Sequence, residues 1–259
     1  MDKELQDAIK TRVENARKSN EDLQDAVQCP VCGESFRPAF EGQMCCDVEC
    51  ADAYHNGVTI WNSPVARTEF MQIWRRLIEL IGEDPESENL KETPQRILKM
   101  WSEVFEGCTL TNDEIAQICD KCFENDENVW FDGMVVERDI DIFSHCSHHF
   151  TLMYDCKVSI GYIPKGKVIG LSKMARVADL VSKRPQLQEN IGNDIRYIMT
   201  KILGTEDVIV VIEGKHGCMT ARGIKKPNSS TVTASLGGVF QEEASARAEF
   251  YAALKVGRR

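Results

Sequence analysis

The sequence is short of positive charge and of histidine. It carries 31 Lys and Arg residues against 41 Asp and Glu residues, which gives a formal net charge of -10, and it has only five histidines. General nucleic-acid binders usually present basic faces that neutralise phosphates, so this charge argues against a strong nucleic-acid function. An anionic small substrate would need a local basic pocket.

Long apolar runs are also missing. No segment reaches the roughly twenty apolar residues that a membrane-spanning helix needs, and no early apolar stretch resembles a signal peptide. We therefore expect a cytoplasmic protein with no membrane partner. The 11 cysteines do not predict a disulfide framework, because a chain of 259 residues without an export signal can form a core without such bridges. Metal binding is the better interpretation of these cysteines.

Residues 1–66 are expected to form an extension that precedes a main domain at residues 67–259. The extension begins with apolar residues at helical spacing, which predict an exposed amphipathic helix. These residues are Leu5, Ile9, Val13 and Ala16.

Two cysteine pairs follow in the extension. Cys29 and Cys32 form a C-x2-C knuckle, and Cys46 and Cys50 form a C-x3-C pair. Two close thiolate pairs suit a tetrahedral structural zinc ion in a small treble-clef-like module, where Gly33 would permit the tight turn. Cys45 and His55 are alternative ligands for the fourth position, and reduced surface thiols are the alternative to any metal. The extension has three candidate roles: docking a partner, sealing an assembly surface or weak nucleic-acid binding.

The main domain alternates between helical and strand patterns. Helices are expected from about residue 67 and from Thr93, followed by a loop-rich stretch between residues 107 and 133 in which Cys119 and Cys122 are expected to be buried on one helix face. Two strands, two helices and two further strands then predict an α+β fold in ββααββ order. The second of these helices has one apolar face, formed by Leu187, Ile191, Ile195, Ile198 and Ile202.

Three of the five histidines fall within "FSHCSHHF", residues 143–150. Cys146 and His149 are three residues apart and can meet one metal ion, and Cys218 in "KHGCMTARG" would supply a third ligand from another strand. A Cys2His set leaves one position of zinc open for chemistry. His148 and His216 would then be free to move protons. Ordinary packing of a His–Cys pair is the alternative, because C-x2-H alone is a weak motif.

Five motifs in order resemble GTP cyclohydrolase I: "CSHHF", "YIPKGKVIGLSKMAR", "RPQLQE", "HGCMTARGI" and "SSTVTASLGGVF". The resemblance covers about Thr68 to Leu254. It implies the T-fold, an antiparallel sheet backed by two helices, and a toroidal homodecamer with active sites between subunits. It also implies conversion of GTP and water into formate and 7,8-dihydroneopterin triphosphate, a first step shared by pterin (tetrahydrofolate) and 7-deazaguanine biosynthesis.

The same resemblance implies roles for the site residues. Cys146, His149 and Cys218 would hold the catalytic zinc ion, whose bound water would attack C8 of guanine. His148 and His216 would donate and accept protons while the imidazole ring of guanine opens.

Other positions would bind or rearrange the substrate. Ser172 would assist the ribose rearrangement, and Gln188 and Glu189 would bind the guanine base. The triphosphate would be bound by Lys173, Arg176 and Arg222. Arginine suits this task because its planar guanidinium donates two hydrogen bonds to a phosphate at once.

Two positions depart from the family pattern. Ser147 stands where the family usually has glutamate, and Gly217 stands where it usually has a larger residue. Ser147 motivates one alternative, a noncatalytic GTP-binding regulatory member of the fold. A second alternative is a T-fold nitrile reductase, which uses a cysteine nucleophile and NADPH in place of a Cys2His metal site.

Overall fold

The computed structural model describes residues 27–29, 31–36, 59–124, 131 and 133–257. The chain divides into two compact units, Met1–Ser102 and Glu103–Arg259. The expected first helix lies outside the described residues, as do Cys45, Cys46, Cys50 and His55. The division of the chain at residue 66 therefore stays a prediction.

The first unit contains a short hairpin and most of two helices. Strands β1 (Val27–Gln28) and β2 (Ser35–Phe36) pair antiparallel. Helix α1 is Pro64–Leu80, and helix α2 is Thr93–Val104. α1 begins three residues before the expected position because Ser63 caps it: its hydroxyl accepts a hydrogen bond from the Ala66 N–H at 3.2 Å. Trp101 packs edge-on against Phe70 and Trp74 of α1, with ring centroids 5.2 and 6.1 Å away.

The second unit begins with a 3-10 turn (Glu106–Thr109), helix α3 (Asn112–Cys119) and strand β3 (Cys122–Glu124). The described part of this stretch thus contains more regular structure than expected, including a helix where Cys119 was expected on a helix face. A capping box stabilises α3, since Thr111 and Glu114 exchange side-chain and backbone hydrogen bonds. Cys119 is fully buried on α3, as expected, but Cys122 lies on β3 and not on the same helix.

The remaining elements follow in the expected ββααββ order. They are β4 (Val135–Cys146), β5 (Leu152–Tyr162), β6 (Lys167–Ile169), α4 (Leu171–Ser182), β7 (Pro185–Gln186), α5 (Gln188–Leu203), β8 (Val208–His216), α6 (Gly217–Thr220), β9 (Thr231–Leu236), α7 (Val239–Glu242) and α8 (Ala244–Ala253). The main sheet has the order β7-β4-β5-β8-β9, and β3 pairs with β6 in a small separate sheet. All pairs in the main sheet are antiparallel except β7 with β4, which is parallel. The α+β T-fold prediction is confirmed.

The core lies between the sheet and the two central helices. α4 packs against β4, and α5 packs against β8 and β9. The apolar stripe of α5 is buried as predicted, since Ile191, Ile195, Ile198 and Ile202 are at most 2% exposed. Burying one such side chain contributes about 1.5–3 kcal/mol, so this stripe holds α5 on the sheet.

A smaller apolar cluster is formed by Ile209 and Val211 of β8 with Phe240, Ala246 and Phe250. Among the described residues, no helix is both long and apolar enough to cross a lipid bilayer.

Candidate active site

Two thiols and one imidazole meet where β4 and β8 end. One ligand atom each of Cys146, His216 and Cys218 lies within 4.8 Å of the others. β5 explains the meeting, because it pairs with β4 on one side and with β8 on the other: Leu152 lies opposite His145, and Met153 lies opposite His216. Sheet register therefore joins two chain segments about seventy residues apart in the sequence.

The turn between β4 and β5 carries the other two predicted histidines. The N–H groups of His149 and Phe150 donate to the carbonyl of Cys146 at 3.3 and 2.8 Å, which closes the turn. His148 and His149 are both exposed, with ring centroids 6.4 Å apart. The side chain that lies beside the two thiols is thus His216. The family resemblance assigns the third ligand position to His149, and that assignment stays a prediction.

His216 has a defined environment. Its Nε2 lies 2.8 Å from Oε1 of Gln188, a side chain that is only 2% exposed. Burial lowers the pKa of His216, because a charged imidazolium is poorly solvated there, and the nearby charge of Glu189 acts in the opposite direction. The structure thus favours a neutral imidazole at this position.

The predicted substrate residues lie on α4, on α5 and in the turn after α6. Ser172 and Lys173 are in the first turn of α4, and Glu189 is in the first turn of α5. Ser172, Arg176, Glu189 and Arg222 are exposed, and Lys173 is half-buried. All five side chains are therefore open to solvent, in contrast to Gln188.

Several contacts around the group had no recognisable pattern in the sequence. The Tyr154 hydroxyl donates to the Thr220 hydroxyl at 3.0 Å and ties α6 to β5. A Cβ atom at Gly217 would lie 3.0 Å from the Leu152 carbonyl oxygen, so this glycine packs tightly against β5. Both contacts join α6 to β5 across a long stretch of sequence, and sequence spacing does not encode them.

Four cysteines outside the group are held as neutral thiols. Burial raises the pKa of Cys156 to about 11, against the opposing effect of a backbone hydrogen bond from Lys215. Burial also raises the pKa values of Cys119 and Cys122. Partial desolvation raises the pKa of Cys108 as well, although the residue as a whole is exposed. A protonated thiol is a poor nucleophile and a poor metal ligand, so these four are weak candidates for chemistry.

The Cys146–His216–Cys218 group fits zinc. Within the described ranges, these are the only three His, Cys or carboxylate side chains close enough together to share one ion. Two thiolates and one imidazole are an attested catalytic zinc set, and three protein ligands leave a fourth position for water or substrate. Cys146 is only 4% exposed, which keeps competing solvent away from that sulfur.

The described half of the predicted N-terminal zinc module has the form of a knuckle. The Cys29 N–H donates to the Glu34 carbonyl, and the Gly33 N–H donates to the Cys29 carbonyl, both at 2.9 Å. Gly33 has φ of +78°, as the tight turn requires. Cys29 is 1% exposed and Cys32 is half-buried.

The chain is similar in sequence to one known protein family and to several of its members. The sequence profile of the family GTP cyclohydrolase I matches residues 70–255. GTP cyclohydrolase 1 of Clostridium botulinum (strain Loch Maree / Type A3) is 54% identical over 171 residues, which are 65% of this chain and 87% of the relative. The enzyme of the same name from Clostridium acetobutylicum is 51% identical over 172 residues, or 66% and 88% of the two chains. That from Ruminiclostridium cellulolyticum is 53% identical over 171 residues, or 65% and 88%. The chain belongs to the GTP cyclohydrolase I family.

Proposed function

We propose that this chain converts GTP and water into formate and 7,8-dihydroneopterin triphosphate. One observation carries the proposal: two thiols and an imidazole meet within 4.8 Å at the adjoining ends of β4 and β8, in a member of the GTP cyclohydrolase I family. The relatives matched over most of their length are named GTP cyclohydrolase 1.

Cys146, His149 and Cys218 are proposed to hold a catalytic zinc ion. When bound, zinc supplies hydroxide near neutral pH by lowering the pKa of a coordinated water to about 7. His149 belongs to the same hydrogen-bonded turn as Cys146, since its N–H donates to the Cys146 carbonyl. Its imidazole is therefore attached to the same backbone turn that carries the Cys146 thiol.

His216 and His148 are proposed to transfer protons as the imidazole ring of guanine opens. The lowered pKa of His216 keeps its ring neutral near pH 7, so the ring is ready to accept a proton. A positioned acid or base of this kind contributes about 10²–10⁴-fold to the rate. His148 is exposed in the turn that follows Cys146, where solvent reaches its side chain.

The triphosphate and the guanine base are proposed to bind to residues of α4, of α5 and of the turn after α6. Lys173 and Arg176 of α4, with Arg222 after α6, provide the cations for the triphosphate. α4 begins at Leu171, and its N-cap residue Gly170 makes no side-chain capping hydrogen bond. The positive end of this helix thus adds to the attraction for phosphate. Glu189, exposed in the first turn of α5, suits the N–H donors on the edge of guanine, and Ser172 is proposed to assist the ribose rearrangement.

Turnover of GTP by the zinc-loaded protein tests the function. We expect formate release together with fluorescence of the oxidised pterin product. Cys218→Ser should lose both, because it removes a metal ligand. Cys108→Ser should keep both, since Cys108 is exposed on the 3-10 turn and lies outside the group.

Other outcomes would favour the alternatives. Zinc-loaded protein that binds GTP and releases no formate would indicate a regulatory GTP-binding member. NADPH oxidation in the presence of a deazaguanine nitrile would indicate a nitrile reductase.

Two features of the assembled protein are also proposed. One is a second, structural zinc ion held by Cys29, Cys32, Cys46 and Cys50, which is supported by the knuckle form of residues 29 and 31–34. The other is a homodecamer, as the family resemblance implies. Light scattering coupled to gel filtration measures the mass directly, and a 29.3 kDa particle would contradict the decamer.

A further inference from the structure

The side chain of Gln188 is fully engaged inside the protein. Gln188 is the first residue of α5 and is 2% exposed. Its Nε2 lies 3.0 Å from the Ile212 carbonyl, 3.1 Å from the Thr231 carbonyl and 3.1 Å from the Thr233 hydroxyl. Its Oε1 lies 2.8 Å from Nε2 of His216. Both ends of the amide are therefore occupied before any substrate arrives.

These partners determine which way the amide points. Backbone carbonyls only accept hydrogen bonds, so the two carbonyls beside Gln188 require its NH₂ group and not its oxygen. A flipped amide would place oxygen against oxygen at Ile212 and Thr231, a repulsive contact that is costly inside the protein. The amide oxygen consequently faces His216.

The amide orientation in turn determines the tautomer of His216. An amide oxygen can only accept, so Nε2 of His216 must carry a hydrogen and donate it to Gln188. In the neutral ring, Nδ1 then holds the lone pair. Nδ1 is the nitrogen left free for a proton or a ligand, and the hydrogen bond also limits rotation of the ring.

We infer that Gln188 is a positioning residue that sets the orientation and tautomer of His216, and that it does not bind the guanine base. The adjacent Glu189 is exposed and remains the carboxylate available to the base. This inference rests on the proposed function for its kinetic consequence, but the tautomer itself follows from the hydrogen bonds alone.

Gln188→Met tests the inference by kinetics, because it keeps an unbranched side chain of similar size and removes both ends of the amide. We expect kcat with GTP to fall about 10–100-fold, as for other residues that orient a functional histidine, while KM and zinc content stay close to wild type. In a His216→Ala background, the same change should cause no further loss of kcat, because Gln188 acts through His216.

Thr233→Val is the matched control. It removes one acceptor of the same amide, and it leaves the hydrogen bond between Gln188 and His216 in place. We expect a small loss of thermal stability with kcat near wild type. A raised KM with unchanged kcat in Gln188→Met would assign Gln188 to guanine binding, and additive losses in the double variant would indicate a general structural role; either result overturns the inference.

A second measurement does not depend on turnover. The protein has five histidines, so ¹⁵N-histidine labelling gives a simple solid-state NMR spectrum in which His216→Ala identifies the His216 signals. We expect the Nε2–H tautomer in wild type and a mixture of tautomers in Gln188→Met. An Nδ1–H tautomer in wild type would refute the inference, whereas absence of formate from wild-type protein would refute only the proposed function.

Discussion

Two histidines compete for the third place beside Cys146 and Cys218. His216 reaches both thiols from the end of β8 with its ring held by Gln188. His149 lies in the same hydrogen-bonded turn as Cys146. A Cys2His site needs only one of them, and the other is then available for proton transfer.

Single substitutions separate these roles. We expect His149→Ala to lose the catalytic zinc ion, since it removes a ligand, and His216→Ala to retain the ion and lose about 10²–10⁴-fold in turnover. Metal analysis of both purified variants, with formate release measured in parallel, checks the assignment. The reverse pattern of zinc loss would make His216 the ligand and His149 the proton-transfer residue.

Asp207 provides a pH-dependent contribution to stability. Burial by itself would raise its pKa, but the ion pair with Lys165 at 2.9 Å and the Val239 N–H at 2.8 Å outweigh burial and lower it. A carboxyl group whose pKa is lowered in the folded state stabilises the fold above its unfolded pKa, and that stabilisation is lost as the pH falls through the folded pKa.

Asp207→Asn should therefore destabilise the protein most near neutral pH. Urea unfolding at about pH 7 and about pH 3.5 measures the difference in free energy of unfolding between wild type and variant. We expect this difference to shrink at the lower pH, because the unfolded carboxyl titrates near 3.9. If the difference in free energy of unfolding stays constant with pH, the charge of Asp207 contributes nothing to the stability of the fold. Lys165→Met should reproduce part of the effect.

Helices α5 and α3 differ in how much of their extent the local sequence pattern predicts. The regular apolar stripe of α5 predicted that helix correctly, and its isoleucines are buried. α3 is short, and its start depends on reciprocal hydrogen bonds between Thr111 and Glu114, with lengths of 2.7 and 3.2 Å to the backbone N–H groups. Helical spacing did predict a helix face carrying Cys119, but it also placed Cys122 on that face, whereas Cys122 lies on β3. The capping box and the strand pairing, and not the apolar spacing, set the bounds of this helix.

Thr111→Ala should destabilise the second unit by about 1 kcal/mol, because the first turn of α3 loses its cap. Urea unfolding followed by circular dichroism measures the change. Glu114→Gln is the matched control, since glutamine also completes a capping box, and its loss should be smaller. Equal losses in the two variants would argue against the capping explanation.

The chain as a whole combines a family domain with an extension that the family match does not cover. The match begins at residue 70, and the N-terminal cysteine pairs precede it. A structural site with four protein ligands has no open position for chemistry. The two proposed zinc sites are therefore expected to differ in function and to be independent.

Zinc stoichiometry tests this independence. We expect two zinc ions per wild-type chain and one in Cys29→Ser, with GTP turnover retained because Cys146 and Cys218 are untouched. Cys108→Ser, at an exposed thiol outside both sites, should keep two ions. Loss of both ions from Cys29→Ser would contradict independent sites.

Sequence alone was enough for the class of fold, the family and the two thiols of the candidate metal site. These conclusions depend on features that repeat or cluster along the chain: the α5 stripe, the order of strands and helices, and the motifs around Cys146 and Cys218. The tertiary structure decided that His216 lies beside both thiols, that Gln188 is buried against β8 and β9, and that Cys122 belongs to a strand. Strand register and hydrogen bonds between distant residues determine those contacts, and neither can be predicted from the spacing of residues along the sequence.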